Sequence, residues 1–174
     1  MEINNNLSQK YSKGIIIIHW ITTILILILF PLGKYMSDLP VKEKLSLIQV
    51  HAILGILVLV LTLVRTYLFF KSPRPPKLNT GSKINDSIAI WIHNVFYFLL
   101  FAVTLTGLIT VLIGGYRNAI TTNNPELIKP HEEIYTMEGH EFFALLIIVL
   151  LVLHVAGVIK HYILTKENTI KRIS

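Results

Sequence analysis

The sequence predicts an all-α integral membrane protein, a four-transmembrane-helix bundle forming one domain over residues 1–174, with both termini cytoplasmic. Three observations predict it. Four apolar runs, at about 15–32, 45–70, 88–113 and 142–164, each have the length to cross a hydrocarbon core roughly 30 Å thick as a helix. Charged residues make up 15% of a chain that is 53% hydrophobic, too apolar a balance for an ordinary soluble domain. The basic residues gather in alternate connections: the amino-terminal segment, the stretch from Arg65 to Asp86 and the tail from Lys160 hold 11 of the 16, which the positive-inside rule places in the cytoplasm.

The first run follows a polar segment with Lys10 and Lys13 and has the look of a secretory signal. It is longer than a signal core, ends in Phe30-Pro31-Leu32-Gly33 without a small-x-small cleavage pattern, and carries His19 and Trp20 near its start, so it reads as a retained span. The second run begins after Lys42 and Lys44 and carries His51 and Gly55, with Arg65 near its far end. Pro73, Pro75 and Pro76 make the next connection stiff and extended. The third run carries His93 near its start, and Asn123, Asn124, Pro125 and Pro130 mark an irregular outer loop before the fourth run. Helices are required throughout, because an isolated strand cannot satisfy its backbone groups in lipid. The net charge of +6 lies in these short loops and orients the protein in the bilayer rather than binding nucleic acid.

With no cysteine, thiolate metal sites, iron-sulfur clusters, covalent c-type haem and disulfides are excluded, and imidazole and carboxylate remain as ligands. The imidazoles are patterned. His140, His154 and His161 are spaced by 14 and 7 residues, so they share one face of the fourth helix. At 1.5 Å rise per residue, His140 and His154 stand about 21 Å apart along the axis, near the two edges of the hydrocarbon. In the predicted topology His51 lies at the outer depth of His140, and His19 at the inner depth of His154. Two facing pairs of neutral imidazoles at two depths are what two bis-histidine haems b require. Zinc fits less well, because no H-x-x-H or H-x-x-x-H occurs. A proton-coupled transporter with a histidine relay stays open.

Four further positions carry two readings each. Gly55 and Gly157, four after His51 and three after His154, suit either a macrocycle lying against the backbone or close helix packing. Arg65, 14 after His51, either meets a haem propionate at the inner level or snorkels to the interface. His161 either faces a quinone headgroup or sits at the interface beside Tyr162. His93 is left outside the ligand set, as a contact to a propionate or headgroup, and His131 is solvated beside Glu132 and Glu133.

Together Tyr11-Ser12-Lys13 before His19-Trp20, His51 with Gly55 and Arg65, the prolines at 73–76, the trio His140, His154 and His161, and the tail Lys166-Glu167-Asn168-Thr169 resemble the bacterial cytochrome b561 family over nearly the whole chain. The resemblance implies an inner-membrane b-type cytochrome and iron ligation by His51 and His140 outside and by His19 and His154 inside. It also implies electron transfer from periplasmic superoxide to ubiquinone, with His161 near the quinone or a propionate. Related cytochromes serve as quinone-reacting subunits of membrane hydrogenases and dehydrogenases, where the donor is a partner protein. The outer loop from Gly115 to Glu141 carries five glutamates against Arg117 and Lys129, a formal balance of minus three, so attraction of an anion there depends on local placement.

Overall fold

The computed structural model describes residues 9–77, 79 and 82–174; the first eight residues of the polar amino-terminal segment lie outside the described residues. Among the described residues there are five α-helices: α1 (Lys13–Ser37), α2 (Val41–Lys71), α3 (Lys83–Ile113), the short α4 (Tyr116–Thr122) and α5 (Tyr135–Thr165). All but α4 are long and apolar enough to cross a membrane, and no strand occurs among the described residues, so the four-span bundle holds.

The helices outrun the apolar runs that predict them. Helix α1 continues through Pro31 to Ser37, and only Asp38, Leu39 and Pro40 separate it from α2. Helix α3 starts at Lys83, where the Ser82 hydroxyl accepts from the Asn85 backbone N–H. Helix α5 begins with the polar turn Tyr135-Thr136-Met137-Glu138. Hydropathy marks where lipid ends, whereas backbone hydrogen bonding carries a helix on into the headgroup layer.

The connection from α3 to α5 is ordered rather than irregular. Gly115 takes φ +81° and starts α4, the Lys129 N–H closes back on the Gly114 carbonyl at 3.0 Å, and Tyr116, Ala119 and Ile134 are buried beneath. A Cβ at Gly115 would lie 1.9 Å from the Leu127 carbonyl oxygen, so only glycine fits. This cap sits on the ends of α2 and α3, and its face of the bundle is called here the capped face.

At the opposite, terminal face the tail folds back in a 3₁₀ turn (Thr169–Arg172) as a strap. The Tyr11 N–H donates to the Arg172 carbonyl at 3.1 Å, and Trp20 Nε1 to the Ile173 carbonyl at 2.8 Å. The Arg172 side chain, buried, donates to the carbonyls of Gln9 and Pro76. One guanidinium thus joins the start of the chain, the proline-bearing connection and the tail.

Packing follows chain order. Among the described residues α1 packs on α2, α2 on α3 and α3 on α5, whereas α5 makes no comparably close approach to α1 or α2. Leu25, Val58, Leu99, Leu100 and Ile147 form a buried apolar layer midway across the bundle.

Candidate functional site

Four seven-residue ladders organise the interior. On α1 the rungs are His19, Ile26 and Gly33; on α2, His51, Val58 and Arg65; on α3, His93, Leu100 and Gly107; on α5, His140, Ile147 and His154. Seven residues are close to two helical turns, so each ladder stays on one face. Its middle rungs belong to the apolar layer or pack against it. The outer rungs make two levels, His51, His140, Gly33 and Gly107 towards the capped face and His19, Arg65, His93 and His154 towards the terminal face.

At the capped level the rings of His51 and His140 have centroids 6.0 Å apart and planes inclined at 78°. Two metal–nitrogen bonds of roughly 2 Å each, plus about 1 Å from each nitrogen to its ring centre, make about 6 Å, so the pair stands at ligation distance. His140 Nδ1 lies 2.7 Å from the Val103 carbonyl. A carbonyl only accepts, so Nδ1 carries the hydrogen and Nε2 keeps its lone pair, as a metal-ligating imidazole must. Gly107 makes this possible: a Cβ there would meet His140 Cε1 at 2.8 Å and Nδ1 at 2.9 Å. Gly33 lies beside His51, where a Cβ would reach Cε1 at 3.4 Å, and His51 Nδ1 is buried with no partner among the described residues. Thr110 and Thr136, with hydroxyl oxygens 2.7 Å apart, tie α3 to α5 near this level. In the cap nearby, burial first and the Glu141 carboxylate second push the Tyr116 phenol above its ordinary value and keep it neutral.

At the terminal level His19, Arg65, His93 and His154 line one cavity. The His154 ring meets His93 at 5.3 Å and Phe96 at 5.6 Å, both edge to face. His93 Nδ1 donates to the Ala89 carbonyl at 2.6 Å. The Arg65 guanidinium stands over the Tyr97 ring at 5.4 Å, with its buried Nε unpartnered among the described residues, and Thr22 Oγ1 is likewise buried and unpartnered. His19 packs against Trp20 at 5.4 Å.

The sequence reading sets His93 aside and passes over Gly33 and Gly107; the structure puts all three on the ladders. Their signal is present in the spacing, since Gly33 is 14 after His19 and Gly107 is 14 after His93. Gly55 and Gly157 face open space, with nothing within 4 Å of an added Cβ. His131 is exposed in the cap. His161 lies near the strap at the terminal face and contacts Glu167.

These residues fit a flat iron macrocycle. Imidazoles stand opposed across the sides of the bundle where α5 is held away from α1 and α2, one keeps an unprotonated Nε2, and buried polar atoms lack partners among the described residues. Fold and site therefore define a class, the membrane cytochrome with haem held between helices. Comparison with known proteins agrees: the family model described as prokaryotic cytochrome b561 matches residues 10–174, and the chain belongs to that family of membrane b-type haem electron-transfer proteins. It is similar to cytochrome b561 homolog 2 of Escherichia coli (strain K12), 25% identical over 174 residues that cover 97% of this chain and 93% of the relative. It is also similar to the probable superoxide oxidase CybB of Yersinia pestis, 26% identical over 172 residues covering 95% and 96%. Membership in an electron-transfer family sets aside the histidine-relay transporter.

Proposed function

We propose that the chain binds two haems b and transfers electrons from superoxide at the capped face to ubiquinone at the terminal face. The termini and terminal face are cytoplasmic and the membrane is the bacterial inner membrane. The observation that carries this reading is the pair of imidazole levels on opposite sides of the apolar layer.

His51 and His140 hold the outer haem, and His19 and His154 the inner one. His93 is the less suitable inner ligand, because α3 and α5 pack too closely for a macrocycle to pass between them, whereas α1 and α5 stand apart. His93 and Arg65 instead receive the propionates, the arginine through its unpartnered Nε. Gly55 and Gly157 keep the space beside the ligands clear. When bound, each haem supplies a one-electron carrier whose iron is saturated by two imidazoles. The apolar layer excludes water between the levels, and His161 lies beside the quinone. The net reaction is 2 O₂•⁻ + Q + 2 H⁺ → 2 O₂ + QH₂.

Superoxide as donor is supported by the name of the Yersinia pestis relative. The acidic balance of the α3–α5 connection favours a second reading, in which a partner protein of a larger membrane dehydrogenase or hydrogenase supplies the electrons. The test is a pyridine haemochrome count on the purified chain, followed by mixing with superoxide and a short-chain ubiquinone. Two haems and one quinol per two superoxides are expected. Two haems without superoxide-dependent quinol formation favour the partner protein, and a colourless chain overturns both readings.

A further inference from the structure

At the terminal face α5 does not simply fray. Lys166 takes φ +61°, its N–H caps the Tyr162 carbonyl at 2.8 Å, and this left-handed turn reverses the chain. The Glu167 N–H donates to the Thr165 hydroxyl at 3.2 Å, and the Glu167 carboxylate is brought back to His161, Nε2 to Oε2 3.1 Å. The two side chains are 13% and 18% exposed, so the pair is largely enclosed. The rest of the strap pins the turn: Asn168 accepts from the Ile170 N–H, and Trp20, the neighbour of His19, donates to the Ile173 carbonyl. His161 is two turns, about 10 Å, beyond His154 on the same face of α5.

We infer that Glu167 is a positioning residue for proton delivery: it holds His161 with Nε2–H bound and Nδ1 free to protonate a quinone at the terminal face. This rests on the quinone reading above. Reducing a quinone to a quinol adds two electrons, from the superoxide or protein donor, and two protons, from water at this face. His161 protonates the quinone oxygen that faces it: the Nδ1–H bond of the imidazolium breaks, an O–H bond forms on that oxygen, and His161 is left neutral with its Nε2–H still donated to the Glu167 carboxylate, while the quinone's other oxygen takes its proton from water. Water then restores the Nδ1 proton. An adjacent carboxylate does for such an imidazole what it does in hydrolytic triads, fixing the tautomer and stabilising the cation.

The test uses the full haem-loaded chain in detergent, with Glu167→Gln, Glu167→Asp and His161→Gln. In the reduced protein the Nε2 proton resonance of His161, assigned by its loss in His161→Gln, is expected downfield in the wild type and Glu167→Asp and shifted upfield in Glu167→Gln. Steady-state quinone reduction in Glu167→Gln should show kcat reduced about tenfold or more with KM for a short-chain ubiquinone within about twofold, and Glu167→Asp should restore most of the rate. Wild-type quinone reduction with an unshifted resonance and unchanged kcat in Glu167→Gln overturns this inference alone. Equal loss in Glu167→Gln and Glu167→Asp, with altered haem spectra, assigns Glu167 a merely structural role and also overturns it. A wild-type chain that holds haem and reduces no quinone overturns the quinone reading and this inference together.

Discussion

The two levels are built on the same four ladders, yet their surroundings differ in kind. At the capped level the groups set against the imidazoles are backbone: the Val103 carbonyl orients His140, and Gly107 and Gly33 let α3 and α1 approach the rings, while His51 Nδ1 has no partner among the described residues. At the terminal level side chains crowd the site: a third imidazole, a guanidinium and a threonine hydroxyl without a partner among the described residues share the cavity with His19 and His154. Backbone partners fix a ligand's tautomer and orientation and add no formal charge, whereas mobile charged partners stabilise anionic groups. The capped level is thus suited to holding a redox centre rigidly, and the terminal level to handling charge as well. The strap with His161 and Glu167 lies on that second side, as does the predicted site of proton uptake.

The comparison breaks most visibly at the glycines. Gly107→Ala puts a methyl group within 2.8 Å of the His140 ring and is expected to weaken retention of the capped-level haem about tenfold, leaving the other haem in place. Gly157 faces open space, so the corresponding loss of the terminal-level haem needs a side chain the size of leucine. Haem counts and redox titration of the two variants read this difference. Next, Gly115→Ala forces a left-handed backbone and a clash with Leu127, and should destabilise the cap by about 2 kcal/mol or more in thermal or denaturant unfolding.

Arg65→Gln sharpens the contrast at the other level. Removing a cation there disfavours the reduced state, so the midpoint potential of the terminal-level haem should fall by tens of mV while the capped-level haem stays put. The smallest effect belongs to Tyr116. Its phenol titrates above the ordinary 10.0, so its contribution to stability is complete below that pH and is lost only as pH rises through the higher folded value. Ultraviolet titration of wild type against Tyr116→Phe should show one late tyrosine missing in the variant.

Much of this was legible in the sequence because membrane spans advertise themselves. The 14-residue spacing of His140 and His154, with His19 and His51 at matching depths, needs only helical geometry and loop charge to suggest two sites. What was not legible depends on how helices approach one another. Gly107 looks like any membrane glycine until the His140 ring is laid against it, and His93 becomes a cavity residue only because α3 packs on α5. The ordered cap depends on the left-handed Gly115 and buried Tyr116, while the pairing of Glu167 with His161 depends on the left-handed Lys166. Turns of that kind are local reversals that hydropathy does not register.

The most direct measurement of the central claim is the haem content and redox titration of the wild type beside His140→Ala and His154→Ala. Two haems per chain are predicted in the wild type and one in each variant, the survivor having a different midpoint potential in the two. Loss of the same haem in both variants, or a wild type that binds a single haem, would contradict the assignment of one haem to each level.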